Sequence, residues 1–171
     1  TYISDEVYSD MIYEGNRHIS ISFYNERGFV VNSFSKSFGL QGFRIGWIFS
    51  LMNKKMDSII KTMGYTSGGV NSIGQEIARV SISKREYAWK FMNQNRQIAL
   101  NYLDSKLANE DYSKAPGSFF LLIRKNKINS NIDSVKFFDG SLFGENTKNF
   151  IRISFAGKSE ELLLGLKILI P

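Results

Sequence analysis

Lys36 is the side chain of this sequence best placed to do covalent chemistry. It lies in Ser33-Phe34-Ser35-Lys36-Ser37, directly after an apolar strand pattern, with hydroxyls on both sides. A lysine amine attacks an aldehyde once it is neutral, and burial beside other positive charge favours the neutral form. Arg44, eight positions further on, offers a planar fork of donors that suits a phosphate dianion. The array predicts a site that binds an aldehyde at its carbon and a phosphate at its oxygens.

Three glycines accompany the lysine segment. Gly39, Gly42 and Gly46 permit a tight turn and a close approach of the backbone. Each residue taken singly has a plainer explanation, because most lysines after a strand are surface residues and a glycine-rich turn can carry hydroxyls by chance. The combination of serines, lysine, glycines and arginine in one short segment favours the functional interpretation.

An aspartate and a tyrosine three residues apart form a second candidate. Asp5 and Tyr8 stand in Ser4-Asp5-Glu6-Val7-Tyr8, upstream of the lysine segment. A buried aspartate can keep a pyridine nitrogen protonated, and the pyridinium then withdraws electrons from a neighbouring carbanion. A tyrosine hydroxyl can bond to the phenolic oxygen of such a cofactor. The plainer alternative is that Asp5 caps a helix and Tyr8 belongs to the core.

Taken in order, these residues resemble the cofactor-binding pattern of fold-type-I aminotransferases that depend on pyridoxal 5′-phosphate (PLP), the class I and II, aspartate-aminotransferase-like family. That family carries an aspartate and a tyrosine three apart, then Ser-x-Ser-Lys, then Arg-x-Gly. The resemblance implies that Asp5 pairs with the pyridine nitrogen, Tyr8 with the ring oxygen and Lys36 with the aldehyde. It also implies that the phosphate is bound by three further polar residues, Ser33, Ser35 and Arg44.

The resemblance extends to an arginine near the end of the sequence. Arg152 lies in Phe150-Ile151-Arg152-Ile153-Ser154-Phe155, an alternating pattern typical of a half-buried strand. A lone arginine on an edge strand is most often a surface residue, but the family has an arginine in this context that binds the substrate α-carboxylate. The preceding Gly140-Ser141-Leu142-Phe143-Gly144 is similar to the family's Pro-Gly-x-x-Phe-Gly turn, with Asp139 in place of the usual proline. This departure leaves the rigidity of the turn open.

Together these matches imply an enzyme, a PLP-dependent aminotransferase that moves an amino group between an α-amino acid and a 2-oxo acid. In that reaction Lys36 acts as general base at the substrate Cα and as general acid at the cofactor carbon, with Tyr8 as the second catalytic residue, and Arg152 orients the carboxylate. Aspartate is the substrate that the family favours, while aromatic amino acids and alanine stay open. The family also implies a homodimer in the cytoplasm.

Other functions are compatible with the same residues. A different fold-type-I PLP enzyme, such as a carbon–sulfur lyase or a cyclopropane-carboxylate synthase, would use the same lysine, and formation of pyridoxamine phosphate distinguishes these reactions. A transcriptional regulator could use an aminotransferase-like domain to sense PLP or an amino acid, and a helix-turn-helix domain upstream would indicate this. An interaction module without a cofactor would require every motif above to be coincidental.

The elements that must position these residues follow from hydrophobic spacing. Strands are predicted at 29–31, 45–49, 118–123 and 150–155. Helices are predicted from Asn53 as N-cap to Gly64, from a capping box at 72–75 to Ile82, after a second capping box at 83–86, and from Ser159 onwards. The resemblance implies an α/β fold, with residues 1–82 as the C-terminal part of a large three-layer α/β/α PLP-binding domain and residues 83–171 as a small α+β domain.

Composition limits the alternatives. The 171 residues are 43% hydrophobic and 22% charged, which is typical of a globular domain. The absence of cysteine excludes disulfides and cysteine metal sites, and the single histidine argues against a histidine metal site, so no metal is predicted. A net charge of +6 raises the question of nucleic acid, but the lysines and arginines are scattered, so a solvated basic surface is the better interpretation. No apolar run reaches membrane-spanning length.

The resemblance covers essentially all of this sequence but only the C-terminal portion of the family's fold. The other portion supplies a glycine-containing phosphate loop, an aromatic ring that stacks on the cofactor and an asparagine at the ring oxygen. We therefore expect the sequence to be part of a longer enzyme. We also expect the 171 residues to be inactive by themselves.

Overall fold

The structure, a computed structural model, describes residues 1–129 and 134–171. It divides into two compact units, Thr1–Trp89 and Lys90–Pro171. The division falls within helix α4, Arg85–Asp104. Each unit combines helices with a three-stranded sheet, which confirms the predicted α/β class.

The sheet of the first unit brings one end of each of its three strands together. Its elements in chain order are β1 Tyr2–Asp5, β2 Gly28–Ser33, α1 Phe34–Ser37, β3 Gly46–Phe49, α2 Asn53–Thr66 and α3 Ser72–Ile82. Strand β2 lies in the middle, parallel to β1 and antiparallel to β3. Asp5 pairs with Val31, and Ser33 pairs with Gly46. The C-terminal ends of β1 and β2 and the start of β3 therefore meet at one end of the sheet, which we call the Ser33 end.

A small apolar cluster supports the Ser33 end. Phe34, Ile45 and Ala78 are buried against each other. The start of α3 approaches so closely that a Cβ atom on Gly74 would lie 2.8 Å from the Ile45 side chain. Three partly buried apolar residues complete the cluster, Phe38, Leu40 and Phe43. Helix α1 and the loop that follows it are therefore held firmly against α3.

The other face of the first unit is open. All four residues of β3 are exposed, including Trp47 at 44% and Phe49 at 44%. None of the 14 residues of α2, all of them described, is buried. Exposed apolar patches of this kind are typical of surfaces that contact another protein surface. By itself, the first unit buries few of the apolar side chains of β3 and α2.

The predicted helix boundaries need correction at three places. Helix α2 has Met52 at its N-cap, so Asn53 is the first helical residue, and the helix continues past Gly64 to Thr66. The capping boxes at 72–75 and 83–86 do not form. Asn71 caps α3 instead, because its Oδ1 accepts a hydrogen bond from the N–H of Gly74 at 3.0 Å. The hydroxyl of Ser83 donates back to the Val80 carbonyl at 2.7 Å, in the last turn of α3.

The second unit combines an antiparallel sheet with α5 and the greater part of α4. Its strands and final helix are β4 Phe120–Arg124, β5 Phe138–Asp139, β6 Phe150–Ser154 and α5 Ser159–Leu169. Strand β6 lies between β4 and β5 and is antiparallel to both. Alternate residues of β4 and β6 are buried with apolar residues of α4 and α5: Leu121, Ile123, Ile151, Ile153, Leu100, Leu103, Leu166 and Leu169. The predicted start of a small domain at residue 83 stays a prediction.

Candidate functional sites

Lys36 lies in the short helix α1, and the end of β2 fixes where that helix begins. Ser33 keeps an extended backbone, and its Oγ accepts a hydrogen bond from the N–H of Ser35 at 3.0 Å, which caps the helix. Phe34 anchors the helix in the apolar cluster. Lys36 is half-buried, and its amine makes no hydrogen bond or ion pair within residues 1–129 and 134–171. The amine is held on a fixed support and can engage a ligand.

Asp5 stands at the end of β1 and is exposed, whereas the proposed pairing with a pyridine nitrogen calls for a buried carboxylate. Its Oδ1 accepts a hydrogen bond from the N–H of Val7 at 3.2 Å, so it shapes the turn after β1 and does not cap a helix. Tyr8 is half-buried in that turn. The turn is tied to β2, because the Asn32 amide donates to the Ser9 hydroxyl at 3.0 Å.

Arg44 also lies at the Ser33 end, in the loop shortly before β3. It is exposed, its backbone is left-handed with φ 54°, and its Nη1 donates to the Gln41 carbonyl at 3.1 Å. A Cβ atom on Gly46 would lie 2.6 Å from the Asn32 carbonyl oxygen, so only glycine fits between β2 and β3. Gly42, by contrast, faces open space, and the structure gives no requirement for glycine there.

Topology therefore brings together most of the residues predicted from the lysine segment and the Asp-x-x-Tyr motif. Five of them lie on segments that meet at the Ser33 end: Asp5, Ser33, Ser35, Lys36 and Arg44. Tyr8 follows in the turn after β1. The set combines an amine, two hydroxyls, a guanidinium and a carboxylate, which are the groups needed to bind an aldehyde, a phosphate and a ring nitrogen.

Arg152 belongs to the second unit, in the middle strand β6. Three phenyl rings surround its guanidinium, and its Cζ atom lies 3.6 Å from the ring centre of Phe143, 4.2 Å from that of Phe120 and 5.2 Å from that of Phe138. We call these three rings and Arg152 the arginine cage. Each ring face attracts a cation, and together the rings restrict how the planar guanidinium can turn.

The arginine cage leaves part of the guanidinium without a partner. The Nε atom of Arg152 is buried and has no hydrogen-bond acceptor within residues 1–129 and 134–171. A buried donor without an acceptor costs free energy, and a carboxylate is the ligand that matches the arginine fork with two parallel hydrogen bonds. The cage therefore presents an oriented cation that forms no ion pair with a carboxylate in the described part of the chain.

The three phenylalanines were not predicted from the sequence to be functional residues. Phe120 and Phe138 lie on the two strands that flank β6, and Phe143 lies on the 3₁₀ turn Gly140–Phe143. The similarity of residues 140–144 to a known turn was the available signal, but the strand order β4-β6-β5 is needed to bring the rings to Arg152.

A buried carboxylate follows Asp5. Glu6 is 7% exposed, and its Oε2 accepts a hydrogen bond from His18 Nε2 at 2.8 Å. The hydroxyls of Ser20 and Ser4 donate to its Oε1 at 2.9 and 3.1 Å. Burial raises the pKa of Glu6, but these hydrogen bonds outweigh it, so the pKa of this carboxyl lies below its usual value. His18, the single histidine of the sequence, is thus a partner of Glu6.

We expect Glu6→Gln to lower the free energy of unfolding by about 1–3 kcal/mol at neutral pH, because the charge-assisted hydrogen bonds are lost. A carboxyl whose folded-state pKa lies below its unfolded value of about 4.5 stabilises fully above that pH. This contribution is lost as the pH falls through the folded-state pKa. The difference between wild type and variant should therefore shrink below about pH 4.5.

Denaturant unfolding of the complete protein at a series of pH values measures this difference. Glu26→Gln is the matched control, since Glu26 is an exposed glutamate of the same unit and should change stability by less than about 0.5 kcal/mol. A Glu6→Gln variant as stable as wild type at pH 7 would contradict the role given to these hydrogen bonds.

Comparisons with known proteins agree with the geometry. A family model described as aminotransferase class I and II matches residues 1–166. An aspartate aminotransferase of Pyrococcus horikoshii is 28% identical over 94% of this chain and 45% of its own length. A probable N-acetyl-LL-diaminopimelate aminotransferase of Bacillus subtilis is 25% identical over 96% of this chain and 44% of its own length. The chain thus spans about half the length of the curated relatives it matches.

A solved structure gives the same result. The crystal structure of an aromatic aminotransferase from Pyrococcus horikoshii matches 97% of this chain and 49% of its own, with 26% identity and a TM-score of 0.79. Within the described residues, no helix is both long enough and apolar enough to cross a membrane. The resemblance inferred from the lysine segment is confirmed, and the chain belongs to the class I and II aminotransferase family.

Proposed function

We propose that the complete protein containing this chain is a PLP-dependent aminotransferase that moves an amino group between an α-amino acid and a 2-oxo acid, with aspartate as the first amino donor to test. One observation carries the proposal. In a chain of this family, the Lys36 amine lies at the same end of a sheet as the Ser33 and Ser35 hydroxyls, the Arg44 guanidinium and the Asp5 carboxylate.

The residues at the Ser33 end fit PLP chemically. Arg44 uses Nη1 for the Gln41 carbonyl, and its other donors suit a phosphate dianion. The Ser33 oxygen already accepts one hydrogen bond, while its own hydrogen points to the Ile45 carbonyl at a long 3.5 Å and can turn to a phosphate oxygen. Bound PLP supplies an aldehyde that takes up the amino group and a ring that withdraws electrons from the neighbouring carbon.

Each protein group has a distinct task in this proposal. Lys36 Nζ would hold PLP through the aldehyde carbon, with loss of water, and its amine, once displaced by the substrate amine, would move the substrate Cα proton to the cofactor carbon. Asp5 would pair with the ring nitrogen and keep it protonated, and the Tyr8 hydroxyl would donate to the ring oxygen. Arg152 holds the substrate α-carboxylate in a fixed orientation, which aligns the Cα–H bond for proton removal.

Three further properties belong to the proposal. The complete protein is a homodimer, because the family assembles its sites at a dimer interface, and it acts in the cytoplasm. The 171 residues alone do not transaminate, since they span only about half the length of the relatives. Full turnover by this chain in isolation would contradict the last statement.

The test is a PLP titration of the complete protein, followed in the visible spectrum, then borohydride reduction and peptide mass mapping. We expect one pyridoxyl adduct on Lys36 and none on exposed Lys61, the matched control in α2. Addition of L-aspartate before reduction should release pyridoxamine phosphate, which distinguishes transamination from lyase chemistry. A complete protein without an adduct on Lys36 would overturn the enzyme assignment and favour a regulator.

A further inference from the structure

A second carboxylate lies at the base of the arginine cage. Asp139 precedes the 3₁₀ turn Gly140–Phe143, and Phe143 is the ring closest to the Arg152 guanidinium. We propose that Asp139 is a positioning residue, which holds Phe143 in place and thereby keeps Arg152 oriented for the substrate carboxylate. This inference rests on the proposed function of Arg152 and adds a residue to it.

Both oxygens of Asp139 are engaged. Oδ1 accepts hydrogen bonds from the Ser141 N–H at 2.9 Å and the Ser141 hydroxyl at 2.7 Å, which fixes the first bend of the turn. Lys125 Nζ lies 2.9 Å from Oδ1 and 2.7 Å from Oδ2. Lys125 directly follows β4, the strand that carries Phe120. The carboxylate therefore connects two of the elements that supply rings to the cage.

Gly140, the first residue of the turn, is itself held in place by packing. A Cβ atom on Gly140 would lie 2.0 Å from the Thr147 carbonyl oxygen and 2.5 Å from that of Phe150, so the turn presses against the start of β6. The Thr147 hydroxyl donates to the Gly140 carbonyl at 2.7 Å. Asp139 adds the restraint on Ser141, the next residue, and so acts together with this packing on the bend that leads to Phe143.

The position of Phe143 matters because ring contacts restrain Arg152. Its buried Nε has no acceptor among the described residues, and the guanidinium instead lies against the three rings of the cage. A displaced Phe143 would let the fork rotate away from the direction of the incoming carboxylate. Bidentate binding depends on that direction, so a small rotation weakens carboxylate binding more than it weakens folding.

Proline offers a matched test of this idea. The backbone of Asp139 has φ −65°, the value that a proline ring imposes. Proline is also the residue usual at this position in the family turn that residues 140–144 resemble. Asp139→Pro therefore restrains the backbone without a carboxylate, whereas Asp139→Ala removes the restraint altogether. Asp139→Asn keeps a capping oxygen but loses the ion pair with Lys125.

The experiment compares these variants in the complete protein, using steady-state kinetics with L-aspartate and the spectral reaction of bound PLP with L-alanine and with ethylamine. The last two differ only in the α-carboxylate. We expect Asp139→Ala to lower kcat/KM for L-aspartate about tenfold to hundredfold, mainly through a higher KM. The kcat/KM of Asp139→Pro should be within about threefold of wild type. The kcat/KM of Asp139→Asn should lie between the values of Asp139→Ala and Asp139→Pro.

The ethylamine reaction distinguishes an effect on carboxylate binding from a general effect on the enzyme. Its reaction should be equal in wild type and all three variants, because it has no carboxylate to meet Arg152. Glu145→Ala is the matched control, since Glu145 is an exposed carboxylate on the neighbouring turn, and it should leave every rate unchanged. Equal kcat/KM in Asp139→Ala and wild type would overturn the inference, as would equal losses with L-alanine and ethylamine. A wild-type protein without a Lys36 adduct would overturn the proposed function itself, before any variant is compared.

Discussion

Replacing Lys36 with alanine lowers the rate of transamination by the complete protein at least about 10³-fold, if the proposed function is right. The loss combines two tasks, because the same amine binds the aldehyde and moves the proton at the substrate Cα. No pyridoxyl adduct should be recovered after borohydride reduction. PLP should still bind without a covalent bond, since Ser33, Ser35 and Arg44 are unchanged.

The structure also predicts what this substitution leaves intact. The Lys36 amine makes no hydrogen bond or ion pair with the described residues, so its removal should change the free energy of unfolding by less than about 0.5 kcal/mol. Alanine is moreover a good helix former in α1. Lys36→Arg tests the charge alone, because it keeps a cation that cannot form the covalent bond, and it should be as inactive as Lys36→Ala.

Single-turnover kinetics with L-aspartate, together with thermal unfolding, checks this prediction. Lys61→Ala serves as the control for loss of an exposed lysine. A Lys36→Ala protein that keeps more than about a tenth of the wild-type rate would contradict the covalent role, since general acid–base catalysis alone contributes about 10²–10⁴-fold.

Most residues of the Ser33 end could be proposed from the sequence because they lie close together along the chain, but strand β1 and its pairing with β2 were not predicted. The apolar run before Lys36 becomes β2, and Gly46 is required by the approach of the Asn32 carbonyl. The motif order placed Asp5 upstream of Lys36, and the parallel pairing of β1 with β2 brings their ends together. Local pattern and global fold agree at this site.

Helix ends were predicted less well because several side chains compete to cap them. Asn71 and Ser72 are neighbours with similar capping ability, and the structure uses Asn71. The Ser83 hydroxyl could cap the following helix or bond to the preceding one, and it donates to the Val80 carbonyl in the last turn of α3. A glycine inside a helix costs only about 1 kcal/mol, so Gly64 does not end α2. Differences this small cannot be decided from spacing alone.

Contacts between residues distant in sequence could not be predicted from local patterns. Glu6 and His18 meet through a loop whose path no local pattern specifies. The arginine cage needs a strand order in which β6 lies between β4 and β5, although β5 precedes β6 in the chain. The alternating pattern around Arg152 predicted the strand but not its neighbours, and the rings around the guanidinium come from those neighbours.

Arg152→Met gives the second large effect that we expect. Loss of the carboxylate partner should lower kcat/KM for L-aspartate about 10²–10³-fold, since removing one side of a hydrogen-bonded charge pair costs about 2–5 kcal/mol. Arg152→Lys should lose about tenfold to hundredfold, because an ammonium cannot replace a planar fork. The reaction of bound PLP with ethylamine should not change in either variant, since no carboxylate is involved.

We expect Arg152→Met to change the free energy of unfolding much less than it changes kcat/KM. Methionine removes the attraction between cation and rings, worth about 0.5–2 kcal/mol, but also removes the buried Nε that lacks an acceptor, whose burial costs about 1–3 kcal/mol. The thioether packs well against the three phenyl rings. The two terms nearly cancel, so Arg152→Met should unfold within about 1 kcal/mol of wild type.

Arg124→Met is the matched control for this arginine. Arg124 lies on β4 of the same sheet with its guanidinium 5.2 Å from the Phe150 ring centre, but its side chain is 41% exposed and pairs with Asp111 at 3.7 Å. It should keep wild-type kcat/KM. A loss confined to Arg152 and to substrates with a carboxylate identifies carboxylate binding, whereas equal losses in both arginine variants, or with ethylamine as well, would assign Arg152 a structural role instead.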